Sequence, residues 1–311
     1  MISPPVFAST DDYVTRLGDT GFWTVCIAAA LERHGLADDR QAPVAGFNAT
    51  YPTFVCGDAV VKLFGHFPPW RRAHSAERAA YRLLVTDPEI AAPRLLGEGN
   101  LFDDPDRPWP YLITGRMPGI ASGRAKLSAD ERLALAVDLG RQVRRLHALP
   151  IAGRMTQANW TAGNLSNAMA QSSLPPHLAA QTETYLARLT PFDRVFSHGD
   201  ITANHVFVAQ GCFTGIIDWG DAMVTDRHYE LIQLYRDLFQ CDKALFRTFL
   251  EASDWPVGKD FAQKALGLAL YRQTIGAAQH HTMDVFQPIA ARFPLQDIAT
   301  LDELATELFE I

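Results

Sequence analysis

The chain has 311 residues, more than most single hydrophobic cores hold, which points to two lobes. Hydrophobic residues make up 48% and charged residues 20%, a balance that excludes a disordered or fibrous chain. The net charge of −7 argues against nucleic-acid binding, because an acidic surface repels phosphates, and it suits a cationic small molecule.

Residues 11–36 are predicted to be helical, with Trp23, Ile27, Ala30 and Leu31 at helical spacing. Thr53 to Cys56 and Ala59 to Phe64 are predicted strands joined by a Gly57-Asp58 hairpin turn. Pro68-Pro69 breaks the chain, and residues 73–86 then show one apolar helical face, Ala76, Ala79, Ala80, Leu83 and Leu84. Another strand is expected from Pro93 to Gly97, then a loop over 105–110 and a strand from Tyr111 to Thr114. After Pro118-Gly119 the pattern turns helical. Ser128 and Glu131 form a capping box for a helix over 128–148. A polar loop over 154–173 precedes helices over 174–190, 226–253 and 260–281. The expectation is an α+β protein with a β-rich lobe over 1–114, a hinge at 115–119 and a helical lobe over 120–311, with a ligand held between lobes.

Four cysteines, Cys26, Cys56, Cys212 and Cys241, show neither Cys-x-x-Cys spacing nor a zinc-type cluster, so buried free thiols in a reducing compartment are expected. The first residues lack a basic segment followed by an apolar one, and no run reaches the roughly 18 apolar residues of a membrane span. A cytoplasmic protein, either a monomer or a weak dimer, is expected.

The densest chemistry lies in Phe196-Ser-His-Gly-Asp-Ile-Thr-Ala-Asn-His-Val-Phe-Val208 and Thr214-Gly-Ile-Ile-Asp-Trp-Gly-Asp221. Phosphoryl transfer needs a base near the acceptor hydroxyl, a seat for Mg²⁺ and a cation on the phosphates. Asp200, in a turn after an apolar run, can take the acceptor's proton or orient its oxygen. Asp218, at a strand end, can chelate Mg²⁺. Lys62 sits mid-strand among apolar neighbours, where a lysine needs a partner, and Glu77 on the following helix is the obvious one.

These residues resemble the aminoglycoside phosphotransferase family, which has a protein-kinase-like fold. That family's pattern is His-Gly-Asp, four residues, Asn, a strand and Ile-Asp-x-Gly. Here it reads His198-Gly199-Asp200, with His205 at the Asn place, then Ile217-Asp218-Trp219-Gly220. Val60-Val-Lys-Leu-Phe-Gly65, Pro93-Arg-Leu-Leu-Gly97, Trp109 to Gly119 and Arg145-Leu-His147 fit as well. In wording the chain is closest to hygromycin B phosphotransferases.

The resemblance implies ATP as phosphoryl donor, with GTP as the alternative, and Mg²⁺ held by Asp218 and His205. Macrolide phosphotransferases are similar in carrying His at position 205. The resemblance also implies that Gly115, Arg116 and Met117 bond adenine through backbone, that Thr114 flanks the base, and that Asn48, Thr50 and Thr53 belong to the loop over the phosphates. No Walker motif occurs. His198 is expected to hold its turn.

Asp221, Asp226 and Glu230 could form an acidic wall for substrate amines, although Asp226 is also placed to cap a helix starting near Arg227. Trp160 could line a sugar site or pack in the core. The leading expectation is an aminoglycoside O-phosphotransferase conferring resistance, with hygromycin B as the acceptor. The alternatives are a macrolide or metabolic small-molecule kinase and a nucleotide-binding regulator without turnover.

Overall fold

A computed structural model of the chain describes residues 3–37, 42–47, 50–151, 165–189, 192–279 and 284–310. It divides into two compact units, Met1–Pro118 with Gly215–Asp221, and Gly119–Thr214 with Ala222–Ile311.

The first unit opens with two helices, α1 (Thr10–Arg16) and α2 (Thr20–Glu32), where the sequence suggests one. The break lies at Asp19, whose carboxylate caps α2 by accepting from the Phe22 amide, while the Trp23 indole donates back to Arg16 O. Trp23, Cys26, Ile27, Ala30 and Leu31 then face the core at the spacing expected of one helix face.

The sheet follows as β1 (Val44–Ala45), β2 (Thr53–Cys56) and β3 (Ala59–Leu63), with helix α3 (Trp70–Leu84) before β4 (Leu95–Asn100) and β5 (Pro110–Gly115). Its order is β1-β2-β3-β5-β4, and every pairing is antiparallel. The β2–β3 turn carries Gly57 at φ 60°, a left-handed conformation glycine adopts without strain. Strand alternation in β3 sends Ala59, Val61 and Leu63 into the core with α2 and leaves Val60 and Lys62 on the other face. Residue 62 is thereby committed to the face away from that core.

The second unit begins with β6 (Ile120–Ala121) and the long helix α4 (Ala129–Ala148), which starts at the predicted Ser128–Glu131 capping box. Short helices α5 (Leu165–Ala170), α6 (Pro176–Ala179) and α7 (Thr182–Leu186) come next. The expected single helix over 174–190 is thus two pieces, interrupted at Ala180–Gln181. Strands β7 (Val195–Ser197), β8 (Val206–Ala209), β9 (Cys212–Ile216) and β10 (Met223–Thr225) frame the Asp-bearing turns. β7 pairs antiparallel with β10, and β6, β8 and β9 form a three-stranded sheet.

The stretch expected as one helix over 226–253 is divided. A 3-10 turn (Arg227–Glu230), α8 (Leu231–Gln233) and a π-helical turn (Leu234–Leu238) lead to left-handed Gln240 and Cys241, and α9 (Lys243–Ala252) restarts on the Asp242 cap. Helices α10 (Phe261–Gln279), α11 (Gln287–Ala290) and α12 (Leu301–Phe309) complete the unit. α12 was not anticipated, though Thr300 and Glu303 build a full capping box for it.

All four cysteines are free, as expected, but Cys26 alone is buried and Cys212 is exposed. Among the described residues no helix is long and apolar enough to cross a membrane.

Candidate active site

In the first unit, Lys62 Nζ lies 2.8 Å from Glu77 Oε2 and 2.7 Å from Asp218 Oδ1. Glu77 comes from the buried face of α3, and its other oxygen meets the Tyr81 hydroxyl at 3.4 Å. Asp218 follows β9, whose Ile216 amide donates to Ala91 O, and the buried Trp219 indole donates back to Ile216 O. Asp218 itself sits at φ 64°, a conformation that Asp tolerates better than most side chains. Burial opposes charge on Lys62, but the two carboxylates outweigh it and hold the ammonium above its ordinary pKa. The rings of Tyr51 and Phe64 lie 5.7 and 5.3 Å from the ammonium and complete its surroundings. The result is a protonated lysine, 13% exposed, fixed by two acids.

In the second unit, the chain turns sharply after β7 at Gly199, φ 84°. Its amide donates to Glu230 Oε1 at 2.9 Å, and the Asp200 amide donates to His198 Nδ1 at 3.1 Å. His198 is fully buried, so it holds the turn from inside. Asp200 Oδ1 accepts from Arg272 Nη2 at 2.6 Å and Gln233 Nε2 at 2.8 Å. Burial pushes the Asp200 carboxyl up, but Arg272, His205 and Gln233 together hold it below its usual value, so it is ionised. His205 Nδ1 lies 2.6 Å from Asp200 O. A carbonyl only accepts, so the proton is on Nδ1 and the lone pair on Nε2. The Ala203 amide donates to Asp237 Oδ1 at 2.6 Å, which pins the loop between Asp200 and His205.

The profile of the family described as "Phosphotransferase enzyme family" (APH) matches residues 50–261. This chain belongs to that family. In this phosphotransferase the matched region takes in both clusters except Arg272. Its fold is similar to several solved structures. A GDP complex of wild-type aminoglycoside 2'-phosphotransferase-IIIa matches with a TM-score of 0.65 at 19% identity, covering 94% of this chain and 97% of that one. A macrolide 2'-phosphotransferase from Brachybacterium faecium matches at 0.58 and 17%, covering 93% and 99%. An aminoglycoside-3'-phosphotransferase of type VIII matches at 0.53 and 21%, covering 79% and 97%.

Other expected site residues of the phosphotransferase are placed as follows. Thr114 is buried opposite Val60, and Gly115 opposite Ala59. The amides of Gly115 and Arg116 are already engaged, with Arg94 O at 2.8 Å and Asp58 O at 2.7 Å. Those two amides are thus engaged within the first unit. Thr50 O accepts from the Tyr13 hydroxyl, and Thr53 Oγ1 donates to Tyr51 O. Asn48 and Trp160 lie outside the described residues, as does most of the expected polar loop.

Asp221 is exposed at the end of the first unit. Asp226 and Glu230 do not line a solvent-facing wall, because both are buried. Asp226 caps the Arg227–Glu230 turn and accepts from the His228 amide and the Asp193 amide. Glu230 serves the Gly199 amide. Arg272, Gln233 and Asp237, which sequence reasoning missed, converge on the turn that carries Asp200 and Ala203. Arg272 had a signal: it is a lone cation ending the apolar run Leu266-Gly-Leu-Ala-Leu-Tyr271, where a charge needs a partner.

Proposed function

We propose that this phosphotransferase moves the γ-phosphoryl group of ATP onto a hydroxyl of an aminoglycoside or aminocyclitol antibiotic, with hygromycin B as the acceptor to test first. The observation that carries the reading is the state of Asp200: an ionised carboxylate, 25% exposed, with one oxygen fixed by two donors. Such a group can align an acceptor hydroxyl and take its proton as the bond to phosphorus forms. Lys62, held by Glu77, would sit on the α- and β-phosphates. Thr114, the carbonyls of Gly115 and Arg116 and the Met117 backbone would receive the base, and Thr50 and Thr53 belong to the loop over the phosphates.

The family resemblance gives Asp218 and His205 a role toward a divalent ion, and each carries a donor atom of suitable chemistry. Asp218 has carboxylate oxygens on a side chain 39% exposed, and the Asp200 carbonyl fixes the His205 tautomer in which Nε2 carries the ring's lone pair. When bound, Mg²⁺ would neutralise charge on the phosphate oxygens. Among the described residues no group of three or more His, Cys, Asp or Glu could hold a metal.

The acidic net charge of −7 favours a cationic acceptor. A second reading, a macrolide phosphotransferase, is favoured by one residue, His205 at the usual Asn place. The deciding experiment incubates purified protein with ATP, Mg²⁺ and hygromycin B, kanamycin or erythromycin, and follows ADP and the mass of the antibiotic. Turnover of an aminoglycoside supports the first reading, and turnover of erythromycin alone supports the second. No phosphorylated product from any of the three would sink both.

A further inference from the structure

Among the described residues, the Asp200 carboxylate takes its hydrogen bonds on one oxygen only. Oδ1 accepts from Arg272 and Gln233. Oδ2 has His205 Nδ1 at 3.7 Å, beyond hydrogen-bond reach.

Arg272 lies 72 residues further along the chain, on α10, and is 4% exposed. Its second amino group donates to Gly199 O at 2.6 Å. One planar fork therefore grips both the backbone before Asp200 and the side chain of Asp200, which fixes the rotation of the carboxylate as well as its place. The Tyr229 ring packs 4.9 Å from the guanidinium carbon. Arg272 Nε has no partner among the described residues. A buried cation kept with one donor unsatisfied is poorly explained by stability, since such charges are often replaceable by apolar side chains at no loss.

Gln233 is oriented in turn. Arg236 Nε donates to Gln233 Oε1 at 2.5 Å, so the amide can only present its NH₂ to Asp200. Arg236 is itself anchored to the carbonyls of Asp284 and Val285. Arg272 directly, and Arg236 through Gln233, are three donor side chains that converge on a single oxygen.

We propose that Arg272 and Gln233 are positioning residues for phosphoryl transfer, clamping Asp200 Oδ1 so that Oδ2 alone meets the acceptor hydroxyl. The inference rests on the proposed role of Asp200. Neither residue touches acceptor or nucleotide in this scheme, so their loss acts on turnover and not on nucleotide binding. A misplacement of about 1 Å at a reacting group can cost about a hundredfold in rate.

The test uses the full chain, ATP and whichever antibiotic of the panel turns over fastest. Arg272→Met, Arg272→Lys, Gln233→Leu, Asp200→Ala and the double variant Asp200→Ala with Arg272→Met are compared for kcat, both KM values and far-ultraviolet circular dichroism. Arg272→Met is expected to lower kcat by about a hundredfold and to leave the KM for ATP within about twofold. Arg272→Lys, which restores the charge but not the fork, should recover part of the loss. Gln233→Leu should lower kcat by about tenfold, the effect of losing one neutral donor. In the Asp200→Ala background, Arg272→Met should change the residual rate by no more than about twofold, because nothing remains to be clamped.

Loss confined to the nucleotide KM, or an equal loss with and without Asp200, overturns the clamp. So does an inactive Asp200→Ala beside near-normal Arg272→Met and Gln233→Leu. If Arg272→Met fails to fold, Arg272→Lys and Gln233→Leu carry the same comparison. Full turnover by Asp200→Ala removes the functional reading itself, an outcome distinct from failure of the clamp alone.

Discussion

Glu230 accepts the Gly199 amide at 2.9 Å from a side chain with no exposed surface. Burial raises the pKa of that carboxyl, and its other oxygen has His147 Nε2 at 3.9 Å. Replacing Glu230 by Ala leaves a buried N–H unpaired at the turn that carries Asp200. The expected loss is about 1–3 kcal/mol in unfolding free energy. Glu230→Gln keeps an acceptor oxygen and should lose less. Urea titration of the three proteins decides it, and equal midpoints would remove Glu230 as the support of the turn.

Lys62 is gripped by Glu77 and Asp218, and Glu77 is 3% exposed. Lys62→Met strands a buried carboxylate, at a cost of about 3–5 kcal/mol. If the ammonium also contacts phosphates, the KM for ATP rises as well. Glu77→Gln spares the Lys62–Asp218 pair, so its fold should survive while the KM for ATP rises about tenfold, equivalent to about 1.4 kcal/mol. Initial rates at varied ATP and saturating acceptor measure this. An unchanged KM in Glu77→Gln would separate Lys62 from nucleotide binding.

Burial lowers His147 to about 3 and His74 to about 4. Both are neutral when folded, whereas an unfolded histidine titrates near about 6.5. Between those values the unfolded chain binds protons that the folded chain does not. Their contribution is therefore complete above pH about 6.5 and is lost as pH falls, by up to about 1.4 kcal/mol per pH unit for each residue. Glu230, raised by burial, works in the opposite direction, so a variant comparison is needed. His147→Gln should show a shallower fall in denaturant midpoint from pH 6.5 to 5 than the parent, and parallel curves would contradict the assignment.

Gly140 lies in the middle of α4 where it meets α9. A Cβ there would stand 2.7 Å from Phe249 O, 2.8 Å from Ala252 Cβ and 3.0 Å from Ser253 N. Helix propensity alone predicts that Gly140→Ala stabilises by about 1 kcal/mol. The backbone of α9 cannot swing away as a flexible side chain could, so a net loss of about 1–3 kcal/mol is expected instead. The sign of the change in melting temperature is the test.

His205→Asn places an amide oxygen where an imidazole nitrogen now stands. Mg²⁺ favours oxygen more strongly than Mn²⁺ does, so the variant should show a several-fold higher ratio of Mg²⁺- to Mn²⁺-supported turnover. Assays with each metal at matched ATP check this, and an unchanged ratio would take His205 out of the metal site.

What could be read from the chain follows how local each signal is. Lys62 was legible because a strand repeats every two residues and a lysine among Val and Leu demands an acid. Ser128 announced α4 by its reciprocal cap. Thr300 and Glu303 form the same reciprocal cap at the start of α12. The breaks at Asp19, Gln181 and Gln240–Cys241 carry no proline; the one at Gln181 comes with long-range bonds linking its side chain to Ala299 O and the Leu301 amide. Arg272 and Gln233 reach Asp200 across 72 and 33 residues, a pairing no periodicity encodes. The burial of Glu230 was illegible for a similar reason: its partner, the Gly199 amide, is backbone, and backbone leaves no mark in a sequence.

The π-helical turn at Leu234–Leu238 follows directly on Gln233 and contains Arg236 and Asp237. An α-helix advances 100° per residue, and the wider turn shifts everything after it by one place. Gln233 and Asp237, four residues apart on one face, both reach the same bend of chain, one at Asp200 and the other at Ala203. Such a widening is equivalent to one surplus residue lodged in an otherwise regular spiral. Excising one residue from this stretch would let the spiral heal and swing one of those two anchors out of register. The expected result is a more regular cylinder and a slower enzyme.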